Sequence, residues 1–258
     1  MNGLVDLHCH LLPGLDDGAK TEADTVDILR AFVAEGVSMV NATPHYNSTY
    51  HNLPDIIFQK VTQINQAAAR QHLPIEVFPS QEVRIFGDLL DKYQAGELLT
   101  VANRTNYMMI EFATQDVPHY AYHLFYQMRL EGLMPVIVHP ERNQDFQKNP
   151  DKLFELVEQG GLTQVTAASV TGHFGKKVEK FTDQLFEARL VHTIASDAHN
   201  ITNRASMMGR AFTEIGDFMG QSFAKQLNAN AEAIINNQAV YPDSPRRIKQ
   251  KKLFGLFG

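Results

Sequence analysis

Two imidazoles separated by one residue stand near the head of the chain, in Asp6-Leu7-His8-Cys9-His10. An apolar run leads into them, and a turn rich in Gly, Pro and Asp follows at once, Pro13-Gly14-Leu15-Asp16-Asp17-Gly18. In an extended strand residues i and i+2 face the same way, so His8 and His10 offer two nitrogen ligands to one point. That is half of a metal site, to which Asp17 adds an oxygen. Two ordinary histidines beside a polar turn would look the same. What decides between the readings is whether the rest of the chain supplies further ligands.

It does so, in one recurring position. Short apolar runs end at His45, Glu82, Glu111 and His139, and the run Val191-His192-Thr193-Ile194-Ala195 ends in Ser196-Asp197-Ala198-His199. Asp197 and His199 repeat the same-face spacing of His8 and His10. A single polar residue at a strand end is usually just the start of a loop, but six strands of seven ending in His, Asp or Glu is not explained that way. His8, His10, Asp17, His45, Glu82, Glu111, His139, Asp197 and His199 are too many for one ion with four to six ligands, which implies a cluster of two or three. Imidazole and carboxylate without thiolate suit Mn²⁺, Fe²⁺ or Zn²⁺ in a catalytic role. Arg142, three residues past His139, and Arg204, five past His199, are placed to clamp an anion beside such ions, since a guanidinium grips two phosphate oxygens in a fork. The other six histidines lack this placement, with His51 and His173 at most standing behind the ligands.

The elements that must carry these residues alternate. Thr21 with Asp24 reads as a capping box opening a helix that stops at Gly36. Further helices are expected at about 54–70, 87–95, 120–130, 150–159, 176–188, 204–215 and 222–236, by apolar recurrence at helical spacing. Strands are expected at 4–10, 38–42, 75–78, 107–110, 135–138, 162–166 and 191–195. Seven strands alternating with helices require a parallel sheet, because each crossover returns the chain to the same end. Seven in one domain favours a closed or nearly closed barrel, with a doubly wound open sheet as the alternative, and in a parallel barrel all strand ends gather on the face where active sites are built. One α/β domain is expected over 1–240. The tail, 241–258, differs in kind: Arg246, Arg247, Lys249, Lys251 and Lys252 precede Leu253, Phe254, Leu256 and Phe257. Cations followed by apolar side chains fit weak contact with an anionic membrane surface, a loose solubilising end, or a strip docked on a neighbouring subunit.

Composition narrows the classes. The chain has 258 residues, 44% of them hydrophobic, and a net charge of −6, which gives a nucleic-acid partner no support. A single cysteine, Cys9, excludes an internal disulfide framework and fits a reducing compartment. No apolar run is long enough for a membrane span, so a soluble cytoplasmic protein is expected. Other phosphate chemistries fail on spacing. Six residues beyond Cys9 stands Leu15, where a cysteine-phosphatase loop needs Arg. Gly14 to Thr21 mimics a P-loop with one residue too few between its glycines. Neither a G-x-S-x-G elbow nor H-E-x-x-H occurs.

The ordered set Asp6-Leu7-His8-Cys9-His10, Asp16-Asp17-Gly18, Thr43-Pro44-His45, Glu82, Glu111, His139-Pro140-Glu141-Arg142 and Ser196-Asp197-Ala198-His199 resembles the polymerase-and-histidinol-phosphatase (PHP) superfamily. More closely, the whole chain is similar to the manganese-dependent bacterial tyrosine-protein phosphatases of capsule and exopolysaccharide operons. The resemblance implies a distorted (β/α)₇ barrel of the PHP type, two or three Mn²⁺ ions on the nine residues named above, and Glu82 bridging two of them. It implies that Arg142 and Arg204 bind phosphate, and that the substrate is phosphotyrosine on a cognate tyrosine autokinase. The implied chemistry is in-line attack of a metal-activated water on phosphorus without a phospho-enzyme. Asp17 is chosen over Asp16 by motif alignment. The same ligands would serve a histidinol-phosphate phosphatase. An amidohydrolase also opens with His-x-His, but here no lysine ends a strand to be carboxylated. A metal-stabilised binding protein is a third alternative, and the subunit number stays open, an oligomer included.

Overall fold

The computed structural model describes residues 3–249. Seven parallel staves form a distorted barrel, and two of them are broken, so nine strand segments result. They are β1 (Leu4–Cys9), β2 (Val37–Ala42), β3 (His45–Tyr46), β4 (Glu76–Pro79), β5 (Glu82–Arg84), β6 (Tyr107–Glu111), β7 (Met134–Val138), β8 (Leu162–Thr166) and β9 (Thr193–Ala195). One sheet runs β1-β2-β4 and the other β3-β5-β6-β7-β8-β9. β3 resumes the stave of β2 beyond Pro44, and β5 that of β4 beyond Ser80-Gln81. His45 and Glu82 therefore do not end their strands, as the sequence suggests, but begin the resumed segments, where they pair with each other in register.

Among the described residues the staves carry ten α-helices: α1 (Glu22–Ala34), α2 (Pro54–Arg70), α3 (Leu89–Gln94), α4 (Tyr120–Leu130), α5 (Gln144–Lys148), α6 (Asp151–Glu158), α7 (Ala167–Val170), α8 (Lys176–Glu187), α9 (Met208–Met219) and α10 (Gln221–Ile235). The capping box at Thr21 and Asp24 is present, and Gly36 takes a left-handed φ of +84° just past α1. α9 starts four residues later than the expected 204. The Asn200 carboxamide oxygen accepts from the backbone of Thr202 and Arg204, and that local turn holds the segment out of the helix.

Outward-facing Val40, Val77, Ile110, Ile137, Val165 and Ile194 pack beneath the helices in the main core. A smaller cluster including Val5, Leu7, Met109, Val136 and Leu162 also takes in Ile234 and Ile235 of α10. Asn228 of α10 holds the Val5 amide, and Asn230 holds the His192 carbonyl, so α10 sits at the entry ends of β1 and β9.

The first and last staves meet without a ladder. One bridge, Cys9 to Ala198, is reinforced by backbone bonds from Asp197 N to His8 O and from His10 N to Ala198 O, each 2.8 Å. Below it the buried Asp6 carboxylate does the joining: its Oδ1 accepts from His8 N of its own stave and from Ser196 N across the seam. Burial pushes the Asp6 carboxyl up to about 6 despite these donors.

Past α10 the chain runs back over the barrel. Val240 is buried, Arg246 N donates to Ala188 O, and Arg247 pairs with Asp151 of α6 at 2.9 Å while lying over the Phe154 ring. Lys251, Lys252, Leu253, Phe254, Leu256 and Phe257 lie outside the described residues. Among the described residues no helix is long and apolar enough to cross a membrane.

Candidate metal centre

Beyond the exit ends of the staves, His8, His10, Asp17, His45, Glu82, Glu111, His139, Asp197 and His199 form one continuous cluster, with Arg142 and Arg204 against it. Backbone geometry helps to aim them. His139 and Asp197 both adopt left-handed conformations, with φ of +36° and +52°, which turn the chain sharply at the ends of β7 and β9. A non-glycine residue held there is strained, a feature that gathers at functional sites. The loop carrying Asp16 and Asp17 is pressed onto β1 at Gly18, where a Cβ would stand 1.9 Å from the His10 carbonyl oxygen. Only glycine allows that approach.

In the middle of the cluster His8, His10 and Glu82 converge, and Asp197 lies beside the two imidazoles. His8 Nε2 lies 3.2 Å from His10 Nε2, 3.5 Å from Glu82 Oε2 and 3.6 Å from Asp197 Oδ1. His10 Nε2 lies 3.3 and 3.4 Å from the same two oxygens. Ligands at 2.0–2.2 Å from one ion stand about 3.3–3.6 Å apart in a tetrahedron, and about 3 Å apart at octahedral right angles. The spacing of His8, His10 and Glu82 is that of ligands around an ion. On one side Asp17 Oδ1 lies 3.4 Å from His45 Nε2 and 3.2 Å from His199 Nε2. On the other, His139 Nε2 lies 2.7 Å from Glu82 Oε1, and Glu111 Oε2 lies 3.9 Å from His45 Nδ1, with one atom each of His45, Glu82 and Glu111 within 4.8 Å of one another. Glu82 thus faces two groups with its two oxygens.

The atoms behind the imidazoles matter as much. His8 Nδ1 is 2.8 Å from Gln164 Oε1, His10 Nδ1 is 2.7 Å from Asp16 Oδ2, and His199 Nδ1 is 2.9 Å from the Asp197 carbonyl. Each acceptor holds the proton on Nδ1 and turns a lone pair at Nε2 inward, the arrangement of metal-binding histidines. Glu82 Oε2, His45 Nδ1 and His199 Nε2 are buried without any hydrogen-bond partner, although the first two lie 2.8 Å apart. Buried polar atoms are rarely left so, and a cation would satisfy the oxygen and the imidazole lone pairs. The residues present therefore fit a metal cluster.

Electrostatics agree. Asp16, Asp17, Glu82, Glu111 and Asp197 crowd together, and protons on imidazoles relieve the excess. Burial opposes charge on His10, but Asp16, Asp197 and Glu82 outweigh it and lift its pKa. His45 rises to about 9 against the same penalty, through Asp17 and Glu82. Glu82 and Asp197 stay well below the usual carboxylate range although burial works the other way, held by His8 and by Arg142 respectively. His139, by contrast, is pushed down to about 4 by burial and by the Arg142 cation, so it offers a neutral ring. Metal ions in the cluster would take the place of the extra protons.

Both arginines converge on the outer oxygen of Asp197. Arg142 reaches Oδ2 at 2.7 Å and Arg204 at 3.2 Å, and Arg204 also touches Asp17 Oδ2 at 3.2 Å. Arg142 lies over the Phe174 ring. A cavity of about 290 Å³ opens beside it, lined by Glu111, Phe112, Thr114, His139, Arg142 and Phe146 among others.

Asp16 and Asp17 divide the work: Asp17 faces His45 and His199, whereas buried Asp16 accepts from His10 Nδ1 and the Gly18 amide. Gln164, Phe174 and Arg84, whose Nε lies 2.8 Å from Glu111 Oε2, escaped the sequence reading. Gln164 had a signal, a carboxamide at the centre of the buried strand Leu162-Thr163-Gln164-Val165-Thr166. His51 packs its ring against Tyr46, and His173 binds the Asn203 carbonyl; neither stands behind a ligand.

With this geometry in hand, the chain is similar to known proteins over nearly its full length. It is 40% identical over 255 residues to the tyrosine-protein phosphatase YwqE of Bacillus subtilis, covering 98% of this chain and all of that one. It is 33% identical to the putative tyrosine-protein phosphatase CapC of Staphylococcus aureus, with the same coverage. A chain from the crystal structures of YwqE from Bacillus subtilis and CpsB from Streptococcus pneumoniae, described as unique metal-dependent tyrosine phosphatases, superposes with a TM-score of 0.93 at 39% identity, covering 96% of this chain and all of that one. Residues 4–236 match the family described as capsular polysaccharide synthesis, CpsB/CapC, and the chain belongs to that family.

Proposed function

We propose that this chain is a metal-dependent protein-tyrosine phosphatase that hydrolyses phosphotyrosine on a bacterial tyrosine autokinase and so regulates capsule or exopolysaccharide synthesis. The observation that carries the reading is the convergence of His8, His10 and Glu82 at ligand spacing, with Asp197 beside them and Nδ1 of both histidines anchored from behind. Two or three ions would account for the cluster. His8, His10 and Glu82, with Asp197 beside the imidazoles, would hold one; Glu82, Glu111 and His45, with His139 against Glu82, a second; and His10, Asp17, His45 and His199 a third. Mn²⁺ suits this oxygen- and imidazole-rich set, with Fe²⁺ or Zn²⁺ as substitutes.

When bound, the ions supply Lewis acidity, withdrawing charge from phosphoryl oxygens and making water a nucleophile near neutral pH. The chain's own residues do the rest. Arg142 and Arg204 bind the non-bridging phosphate oxygens, leaving Asp197 Oδ2 for the substrate, and stabilise charge as the phosphoryl group transfers. Phe174 backs the Arg142 guanidinium and restricts its swing. Cys9 is fully buried with its thiol toward the Asn41 carbonyl, so no cysteine nucleophile serves the site. The tyrosinate leaves readily, and no strongly acidic group is needed.

The partner is a phosphotyrosine protein, the setting is the cytoplasm, and contact with an anionic membrane surface through the tail is weak, because Arg247 is occupied by α6. Metal analysis combined with phosphotyrosine-peptide hydrolysis, with and without chelator, tests the whole reading. Two to three ions per chain and loss of turnover on chelation are expected, and His139→Ala should abolish turnover while leaving the fold. Full turnover in metal-stripped protein would overturn it.

A further inference from the structure

We propose that Arg84 is a positioning residue, one that holds Glu111 in place as a ligand of the metal at the His45–Glu82–Glu111 end of the cluster. This rests on the metal reading above. Because the stave of β4 resumes as β5, Glu82 and Arg84 stand two apart in one strand and face the same side. Glu82 points into the cluster, and Arg84 lies one layer nearer the mouth. In the β5–β6 register Arg84 is the direct partner of Glu111, and the strands are tied there by Ile85 N to Glu111 O at 2.9 Å. The Arg84 Nε lies 2.8 Å from Glu111 Oε2.

Glu111 needs such a hold. One oxygen of Glu111, one of Glu82 and one nitrogen of His45 lie within 4.8 Å of one another. Two carboxylates this close repel, and Glu82 cannot move, being fully buried and surrounded by His8, His10, His45 and His139. Glu111 stands nearer the rim, its side chain 11% exposed, and has no such enclosure of imidazoles around it. Arg84 Nε lies 2.8 Å from Glu111 Oε2 against 3.9 Å for His45 Nδ1, and its bond keeps the carboxylate turned toward the centre before an ion arrives. The contact is made through Nε alone, so a single positive donor of similar reach can replace it.

Mn²⁺ titration calorimetry on the metal-stripped full chain, and on its Arg84→Gln and Arg84→Lys variants, tests this, paired with kcat and KM for a phosphotyrosine peptide at several Mn²⁺ concentrations. Arg84→Gln should weaken one binding step about 10- to 100-fold, the usual effect of losing a group that orients a ligand. Its kcat at limiting Mn²⁺ should fall, recovering with excess metal, while KM stays within about twofold, and Arg84→Lys should restore most of the affinity. Unchanged Mn²⁺ binding in Arg84→Gln, with KM raised or not, would overturn the proposal and leave the phosphatase reading intact. A parent chain that binds no Mn²⁺ would overturn both.

Discussion

Asp16→Asn should separate a residue that orients a ligand from one that is a ligand. Asp16 accepts three hydrogen bonds: from His10 Nδ1 at 2.7 Å and His45 N at 3.2 Å on Oδ2, and from Gly18 N at 2.9 Å on Oδ1. Asparagine offers one accepting oxygen and one donating amide. With the oxygen toward Gly18, the amide meets the His45 N–H head-on and forces the His10 proton to Nε2, where a metal must bind. With the oxygen toward His10, the amide faces the Gly18 N–H instead. Each arrangement costs about 1–3 kcal/mol for one misdirected buried donor. The first appears as lost metal affinity, about 10- to 100-fold, and the second as lost loop stability. Asp16→Asn is therefore expected to need far more Mn²⁺ for half-maximal activity and to approach parental turnover at saturation. Asp17→Asn, which alters an atom facing His45 and His199, should not be rescued by metal. Metal titration of turnover on a phosphotyrosine peptide measures both. The reverse pattern, Asp17→Asn rescued and Asp16→Asn not, would refute the division of roles between the two aspartates.

Arg142→Ala is expected to keep its metal content and lose about 2–4 kcal/mol of transition-state stabilisation in kcat/KM, and Arg142→Lys should recover little of it; equal activity of Lys variant and parent would count against a forked phosphate contact. His192 is driven down to about 4 by burial, with Nδ1 accepting from Thr163 N. The unfolded chain binds a proton there below about 6.5 and the folded chain does not, so stability is full above that pH and falls below it, by about 2 kcal/mol at pH 5. Denaturant unfolding at pH 8 and pH 5 should show this loss in the parent and a smaller one in His192→Gln. Finally, a chain ending at Lys249 keeps the Arg247–Asp151 pair while removing Lys251 and Lys252. It should sediment less than the full chain with anionic vesicles at low salt, and equal sedimentation would remove the membrane contact.

The barrel and the membership of the cluster were legible because both rest on short-range signals. Period-two spacing and the abrupt end of an apolar run mark His8, His10, Asp197 and His199 without reference to anything distant. Whatever depended on a second element was not legible. Arg84 lies outside every expected element because nothing local says that a strand resumes after Ser80-Gln81; the pairing with β6 creates it. Asp16 and Asp17 are neighbours of one type; motif alignment selects Asp17, and the physical reason, the approach of the loop to His10 at Gly18, lies in the fold. The late start of α9 reflects a side-chain turn at Asn200 competing with the helix, which apolar periodicity does not register.

The seam between the first and last staves has a consequence for how the protein comes into being. Asp6 and Ser196, which meet there, are 190 residues apart in the chain, and His8 and Asp197 belong to the same two staves. A nascent chain can build most of the barrel by local steps, yet it cannot assemble the central metal group until its last stave has been made. Ion capture would thus be a late event in biosynthesis, and an ion held across the seam would work as a staple. By the entropy of closing so long a loop, such a link is worth on the order of 5 kcal/mol against the unfolded chain. The same ions that would equip the enzyme for chemistry would also keep its ends from parting, so metal starvation should shorten the lifetime of the folded chain as well as silence it.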